Sequence, residues 1–194
     1  DKITGCGSRY TTLTHVLSQI VSCRNALDSN KKPLYPLGDT SPMDLQEICL
    51  QTSRNKVQSS GLVVPFILSQ EFGLLVDVSN LNFLRVNGYE GLIGGPSSAK
   101  HSCELYPDVK FSRITFREQA AKDYKLCRAI ELASRYRYIQ LCWNLSTLPF
   151  DMTIPLSDVY AKMEEKGLTD RILESTSVWG YEDDKNGREE ICLF

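Results

Sequence analysis

Apolar residues recur along the first part of the chain at intervals of three and four. Leu13, Val16, Leu17, Ile20 and Val21 fall at the spacing of one helix face. Residues 28–39 hold Pro33, Pro36 and Gly38 among other turn formers and read as a loop. Ser41-Pro42-x-Asp44 then supplies an N-cap, a proline at the first helical position and a carboxylate in the first turn. Leu45, Ile48, Cys49 and Thr52 carry that second predicted helix toward Lys56.

The pattern changes after Ser60-Gly61. Residues 62–64 and 66–68 are too short and too continuously apolar for a surface helix, so they predict a buried strand, with Pro65 marking an edge or a bulge. A second apolar run covers 72–76. Residues 83–86, then Asn87-Gly88, then Leu92-Ile93 read as a hairpin, because Asn-Gly favours the type I′ turn. Residues 94–98 form a glycine-rich loop. Residues 109–116 alternate as a strand does. Residues 117–135 predict a long helix with Leu126, Ala129, Ile130 and Ala133 on one face, and 136–143 predict a strand after it. Pro155-x-Ser157 opens another helix, which Lys166-Gly167 closes with a cation and a C-terminal glycine. Leu168-Thr169 starts a short helix to Leu173. The strand–helix–strand–helix order is that of a crossover unit. The expected fold is α/β (or α+β): N-terminal helices followed by a mixed β-sheet with helices packed on it. A single globular domain covers 1–176, and an acidic C-terminal tail covers 177–194, where the apolar end 191–194 must pack or fray.

A chain of 194 residues buries enough surface to fold without a disulfide or metal staple. The longest apolar stretch, 61–68, is broken by Pro65 and falls well short of the roughly 20 residues that cross a bilayer. No membrane is expected as a partner. The seven cysteines include no Cys-x-x-Cys pair, and Cys49, Cys127 and Cys142 lie in apolar segments. Buried, reduced thiols predict a cytoplasmic or nuclear protein. The rival is a secreted protein with some disulfides, for which Asn144-Leu145-Ser146 would be a glycosylation sequon, although it adjoins an expected strand. The chain opens on Asp1 rather than Met, so prior processing, loss of a signal peptide included, stays open.

The net charge of −2 selects no polyanionic partner, but the charge is unevenly spread. Residues 110–137 carry eight basic and three acidic side chains, whereas 158–190 carry ten acidic and five basic. The two regions could bind each other or present two faces to two partners.

Two short motifs carry candidate chemistry. Pro107-Asp108 followed by Asp123-Tyr124-Lys125 resembles the restriction-endonuclease-like superfamily and the cap-snatching endonucleases of segmented RNA viruses that share its core. The resemblance implies carboxylates that hold one or two divalent metals, manganese or magnesium, and a lysine that activates the attacking water. Asp108, Glu118, Asp123 and Lys125 would then be catalytic, with His15 or His101 as an extra ligand. This sequence departs from the pattern in placing Asp123 and Lys125 where a helix is predicted rather than a strand. The segment 74–80, an apolar run ending Asp77-x-x-Asn80, is similar to the opening of PIN-like NYN ribonucleases. That similarity implies Asp77 at a strand's carboxyl end with Asp123 as a second acid. Here the departure is Trp143-Asn144 where that family carries a further acid. Across the two alignments the metal candidates are Asp77, Asp108 and Asp123.

The bland reading of these acids is solvated charge at helix starts and an Asx turn at Asp77. Residues 91–96 are glycine-rich but lack a dinucleotide or P-loop fingerprint. Arg135-Tyr136-Arg137-Tyr138 interleaves cations with aromatics, as single-strand nucleic-acid platforms do, or as a strand with two unlike faces does. No common hydrolase or zinc motif is present in the sequence. The leading expectation is therefore a non-catalytic intracellular binding or assembly domain of the viral or regulatory kind, without a cofactor. Its basic centre (Lys110, Arg113, Arg117, Arg135 and Arg137) would hold a protein or RNA partner. The alternative is a divalent-metal nuclease, active or degenerate.

Overall fold

In the computed structural model of the chain, residues 16–38, 41, 43–55, 61–142 and 154–175 are described. Leu13, His15, the Asn144 sequon, Trp143 and the tail 177–194 lie outside them. The strands are β1 (Val16–Asn25), β2 (Leu45–Asn55), β3 (Val63–Ser69), β4 (Gly73–Leu74), β5 (Leu92–Ile93), β6 (His101–Cys103) and β7 (Tyr106–Phe111). The helices are α1 (Val76–Val86), α2 (Phe116–Ala120), α3 (Tyr124–Cys142), α4 (Leu156–Glu165) and α5 (Thr169–Glu174). The content is mixed, and the strands form two sheets, ordered β1-β2-β3-β4 and β5-β6-β7. Every described strand pair is antiparallel, so the expected mixed sheet with a parallel crossover is replaced by two antiparallel ones.

The first two predicted helices are strands. β1 pairs with β2 through register shifts between Leu17 and Ser18 and between Ile20 and Ser22. The unpaired residues are Ser53 of β2 and Val21 of β1, and the second of these breaks the period-two alternation of β1 where Ile20 and Val21 stand side by side. In β2, Leu45 and Glu47 are buried on one face, the carboxylate of Glu47 lying 3.3 Å from Arg24 of β1. Asp44 starts no helix. Its carboxylate accepts from Ser69 Oγ at 2.8 Å and from the Gln70 amide at 3.0 Å, closing the turn after β3.

The predicted hairpin is also corrected. Residues 83–86 form the last turn of α1, and Asn87-Gly88 ends that helix: the Asn87 amide donates to the Phe83 carbonyl at 3.0 Å, and Gly88 takes φ +112°. The turn signal was genuine, but it closed a helix. The predicted strand over 136–143 falls on α3, which runs unbroken to Cys142. The long helix predicted from 117 is split, because α2 ends at Ala120 and Asp123 caps α3 by accepting from the Leu126 amide at 3.2 Å. The C-terminal helices α4 and α5 stand where the sequence puts them, with Gly167 at φ +62° between them.

One apolar cluster joins these parts. Leu45 and Ile67 come from the first sheet, Leu81 and Leu84 from α1, Cys103 and Phe111 from the second sheet, Ile130 and Ala133 from α3, and Leu156 and Leu173 from α4 and α5. α1 packs against both β3 and α3. Among the described residues no helix is long and apolar enough to cross a membrane.

Candidate functional site

A cleft of about 490 Å³ opens where α1 diverges from β3 and α3 comes alongside. Its floor on the sheet is mainly apolar, with Leu50 of β2 opposite Val64 of β3 and Phe66 following, while Ser18 of β1 and Thr52 of β2 add hydroxyls. The helical wall brings Phe83 from α1 and Tyr138 from α3, whose rings sit 6.3 Å apart and tilted by 50°. Polar groups mark the corners. Ser134 Oγ donates to Asn80 Oδ1 at 3.0 Å and ties α3 to α1. Ser79 Oγ accepts from the Ile67 amide of β3 at 2.9 Å and donates to the Leu75 carbonyl at 2.7 Å, tying α1 to the sheet. Arg135 is the single charged residue among those that line the cleft. Its guanidinium lies 2.5 Å from Glu131, which also receives Arg128 at 2.9 Å. The cleft lining holds no carboxylate, imidazole or thiol among the described residues.

The helical state of 135–138 changes the meaning of that motif. On a strand, the two arginines would share one face and the two tyrosines the other. On α3, Arg135, Tyr138 and Ile139 share a face by their i, i+3, i+4 spacing, and all three line the cleft. Tyr136 instead donates to the Ile154 carbonyl, and Arg137 donates through Nε to the Asn87 carbonyl at 2.8 Å.

The remaining basic candidates are largely engaged within the fold. Arg113 pairs with Asp28 at 3.1 Å. Arg117 is buried on α2 and donates to the Tyr35 carbonyl at 3.2 Å, and burial pulls its guanidinium below the usual arginine range. Lys110 is exposed on β7. The expected match between the basic centre and the acidic end exists at Lys125, which lies 3.4 Å from Asp170 and 2.9 Å from Glu174.

The acids are distributed as follows. Asp108 is exposed on β7, which is a strand, as the first resemblance implies. Glu118 is exposed on α2 and pairs with Lys122 at 2.6 Å, a hydrogen bond that draws its carboxyl below the usual range. Asp123 caps α3 and also accepts the Tyr106 hydroxyl, near which Asp108 stands. Asp77 lies in the first turn of α1, not at a strand's end, beside a separate depression of about 340 Å³. Burial pushes its carboxyl up, partly offset by a hydrogen bond from the Cys127 thiol. That thiol is itself pushed up to about 12, by burial and by Asp77 and Asp123. Among the described residues no group of three or more His, Cys, Asp or Glu side chains is placed to hold a metal ion.

Sequence reasoning missed Leu50, Val64, Phe66 and Ser134 as site residues, and it read Ser79 and Asn80 as part of a nuclease-like motif rather than as polar corners of a cleft. The missed residues come from β2, β3 and α3 and carry no local motif. Among the lining residues, Arg135 and Tyr138 stood in the cation–aromatic motif, Ser79 and Asn80 in the segment that ends Asp77-x-x-Asn80, and Pro65 at the expected strand edge. No protein-family model matches the chain, and no curated protein or solved structure shows significant similarity to it.

Proposed function

We propose that this chain is a non-catalytic binding or assembly domain that holds a protein partner in the cleft between β3 and the helices α1 and α3. One observation carries the reading: a concave site of about 490 Å³ is lined by apolar and aromatic side chains with a few hydroxyl and amide groups at its corners. That is the usual make-up of a recognition site, and its described lining brings no carboxylate, imidazole, amine or thiol to activate the hydroxyls that it holds. The basic contribution expected from the centre of the sequence narrows to Arg135 at this place.

A peptide library displayed against the full chain tests the proposal, with Thr52→Trp and Leu50→Asp as variants that fill or charge the cleft. Both positions are only partly buried, and a thermal melt verifies that each variant folds. Peptides bound by the parent should lose at least tenfold in affinity to either variant. Selected peptides indifferent to both would overturn the cleft as the site. Melts with and without millimolar manganese address the nuclease alternative, since a ligand that binds the native state raises Tm. The expected shift is nil. A rise abolished by Asp108→Ala would put metal-dependent chemistry in place of this reading.

A further inference from the structure

We infer that the partner docks as an amphipathic helix, laid on an uncharged apolar face of the first sheet that starts in the cleft and runs on beyond it. This deepens the binding reading above and rests on it.

Strand pairing sets which residues share that face. Ile20, Leu50 and Val64 stand in one row across β1, β2 and β3, and Cys23, Ile48 and Phe66 stand in the next. Gln46 and Leu68 form a third row, which Leu74 of β4 extends. Residues paired across strands point to the same side of a sheet, and successive rows of one face are two residues apart along β2 and β3. Leu45 and Ile67 stand on the other face, where they are buried in the core. An antiparallel sheet with one face on the core commonly turns a polar face to water. This sheet instead leaves apolar side chains there: Ile20 is 65% exposed, Leu74 is exposed, and Ile48, Leu50, Val64, Phe66 and Leu68 are each only partly buried. Of the described helices α1 packs along β3, and none lies along β1 or β2. Leu50, Val64 and Phe66 also line the cleft, so the face is the outward continuation of its floor.

Charge, hydrogen bonding and size select the occupant. From Ser18 to Asn25, from Gln46 to Thr52 and from Val64 to Leu68 no charged residue stands on this face, and the ion pair of Arg24 with Glu47 stands on the other. A partner that set a charge or a phosphate here would strip it of water without a counter-charge, so its contact surface is apolar and uncharged. The strands use their main-chain groups in their ladders, within the plane of the sheet, so the face offers side chains and nothing for a partner's backbone. A segment buried against it must satisfy its own amides and carbonyls, which a helix does and an extended chain does not. The axes of β1 and β3 lie about 10 Å apart, close to the diameter of one helix. From the row of Thr52 to that of Gln46 the face runs about 20 Å, the length of a helix of about 13 residues. Apolar side chains at i, i+3, i+4 and i+7 of that helix would meet the rows of Leu50 and Ile48.

The experiment uses the full chain and the best binders from the library, drawn from peptides long enough for four helical turns. Bound peptide should gain helical circular dichroism, and proline at its centre should cost at least tenfold in affinity. Ile48→Asp sets a charge on the face outside the cleft lining and should weaken binding at least tenfold. Gln46→Lys, at a partly exposed position, should weaken it about threefold, and it replaces Ile48→Asp if that variant does not fold. Cys23 is exposed on the same face, and bound peptide should slow its alkylation by iodoacetamide at least tenfold, read by mass spectrometry of the fragment that holds it. If Ile48→Asp, Gln46→Lys and Cys23 alkylation show no effect while Thr52→Trp abolishes binding, the partner is confined to the cleft, and this inference fails while the binding reading stands. The same holds if peptides bind without gaining helix or tolerate the proline. If Cys23 of the free chain reacts as slowly as the buried Cys103, the chain itself covers the face and the inference fails. If the free chain dimerises and Ile48→Asp dissolves the dimer, the occupant is a second copy and the inference fails. If single-stranded oligouridylate protects Cys23 and no peptide does, the occupant is RNA and both readings fail. If nothing binds, both readings fail together.

Discussion

Leu126, Ala129, Ile130 and Ala133 line one face of α3 without any exposure, whereas in β1 every side chain from Ser18 through Arg24 is exposed. The first region is held on several sides, by α1, the second sheet and the C-terminal helices. The second is held almost wholly by its ladder to β2. Cohesion and accessibility are thus assigned to different ends of the molecule. The cleft lies on the seam between them, where α1 leaves the sheet, and it has one rigid wall and one lightly covered wall. Binding surfaces are commonly recruited from the less stable side of such a seam.

The contrast is broken most forcefully by removing buried volume from the helical body. Leu84 is fully buried in α1. Leu84→Ala should cost about 3 kcal/mol, since buried leucine truncations lose both transfer energy and packing. For a chain of this size the melting temperature should fall by about 6 to 12 °C. Denaturant titration measures this directly, and a loss below about 1 kcal/mol would show that the body is not where the stability resides.

At the seam itself, Ser79→Ala removes the hydroxyl that bridges Ile67 of β3 to the Leu75 carbonyl. The buried Ile67 amide is left without its acceptor, a loss of about 1 to 3 kcal/mol. The affinity for cleft ligands should fall with it, because the same hydroxyl holds α1 against the sheet. A stability loss with unchanged ligand affinity would mean that α1 does not set the width of the cleft.

How much of this was legible beforehand follows the same division. The C-terminal helices were read correctly because their punctuation is local: Pro155 before the first turn and Gly167 after the last. Asn87-Gly88 was read as a turn, but whether it joins two strands or ends a helix depends on what precedes it. Burial of Leu81, Phe83 and Leu84 decided for the helix. β1 and β2 read as helices because one unpaired residue in each, Val21 and Ser53, disturbs the alternation, and because β2 buries Glu47 against a cross-strand arginine where a hydrophobe would have signalled the face. In α3 the anchored face from Leu126 to Ala133 carries the helix through 136–142, overriding a stretch rich in strand formers. The cleft left almost no trace, since residues far apart in sequence form it and most of them are common core types.

Acid acts on the packed body through His101. The imidazole is buried between Tyr89 and Phe111, at ring distances of 5.5 and 6.3 Å. Burial, with Arg85 nearby, holds its pKa below the ordinary value of 6.5. The unfolded chain therefore binds a proton more readily than the folded one. The stability this residue permits is present above about pH 6.5 and declines as pH falls from there toward the lower folded value. Denaturation midpoints taken from pH 7.5 downward should show that decline, and His101→Gln should flatten it. An unchanged slope in the variant would assign the decline to other groups.

The smallest effect is expected in β1, and it tests the comparison from its other side. Ile20 is 65% exposed and Val21 43%. Ile20 gives up little apolar surface to the fold, so Ile20→Lys should leave stability within about 0.5 kcal/mol of the parent. The lysine stem can lie along the strand while its ammonium stays in water, and such a charge is a common feature of natural sheet edges. Amide exchange gives the matching local measurement: the β1 amides should exchange well before those of α3, because a ladder with solvent on both faces opens without breaking the core. A cost above about 1 kcal/mol at Ile20, together with slow exchange in β1, would show that this strand is covered and shares the cohesion of the body. The contrast between an anchored body and a lightly held edge strand would then be lost, and Ser18, the residue that β1 gives to the cleft, would be held as firmly as the helical wall.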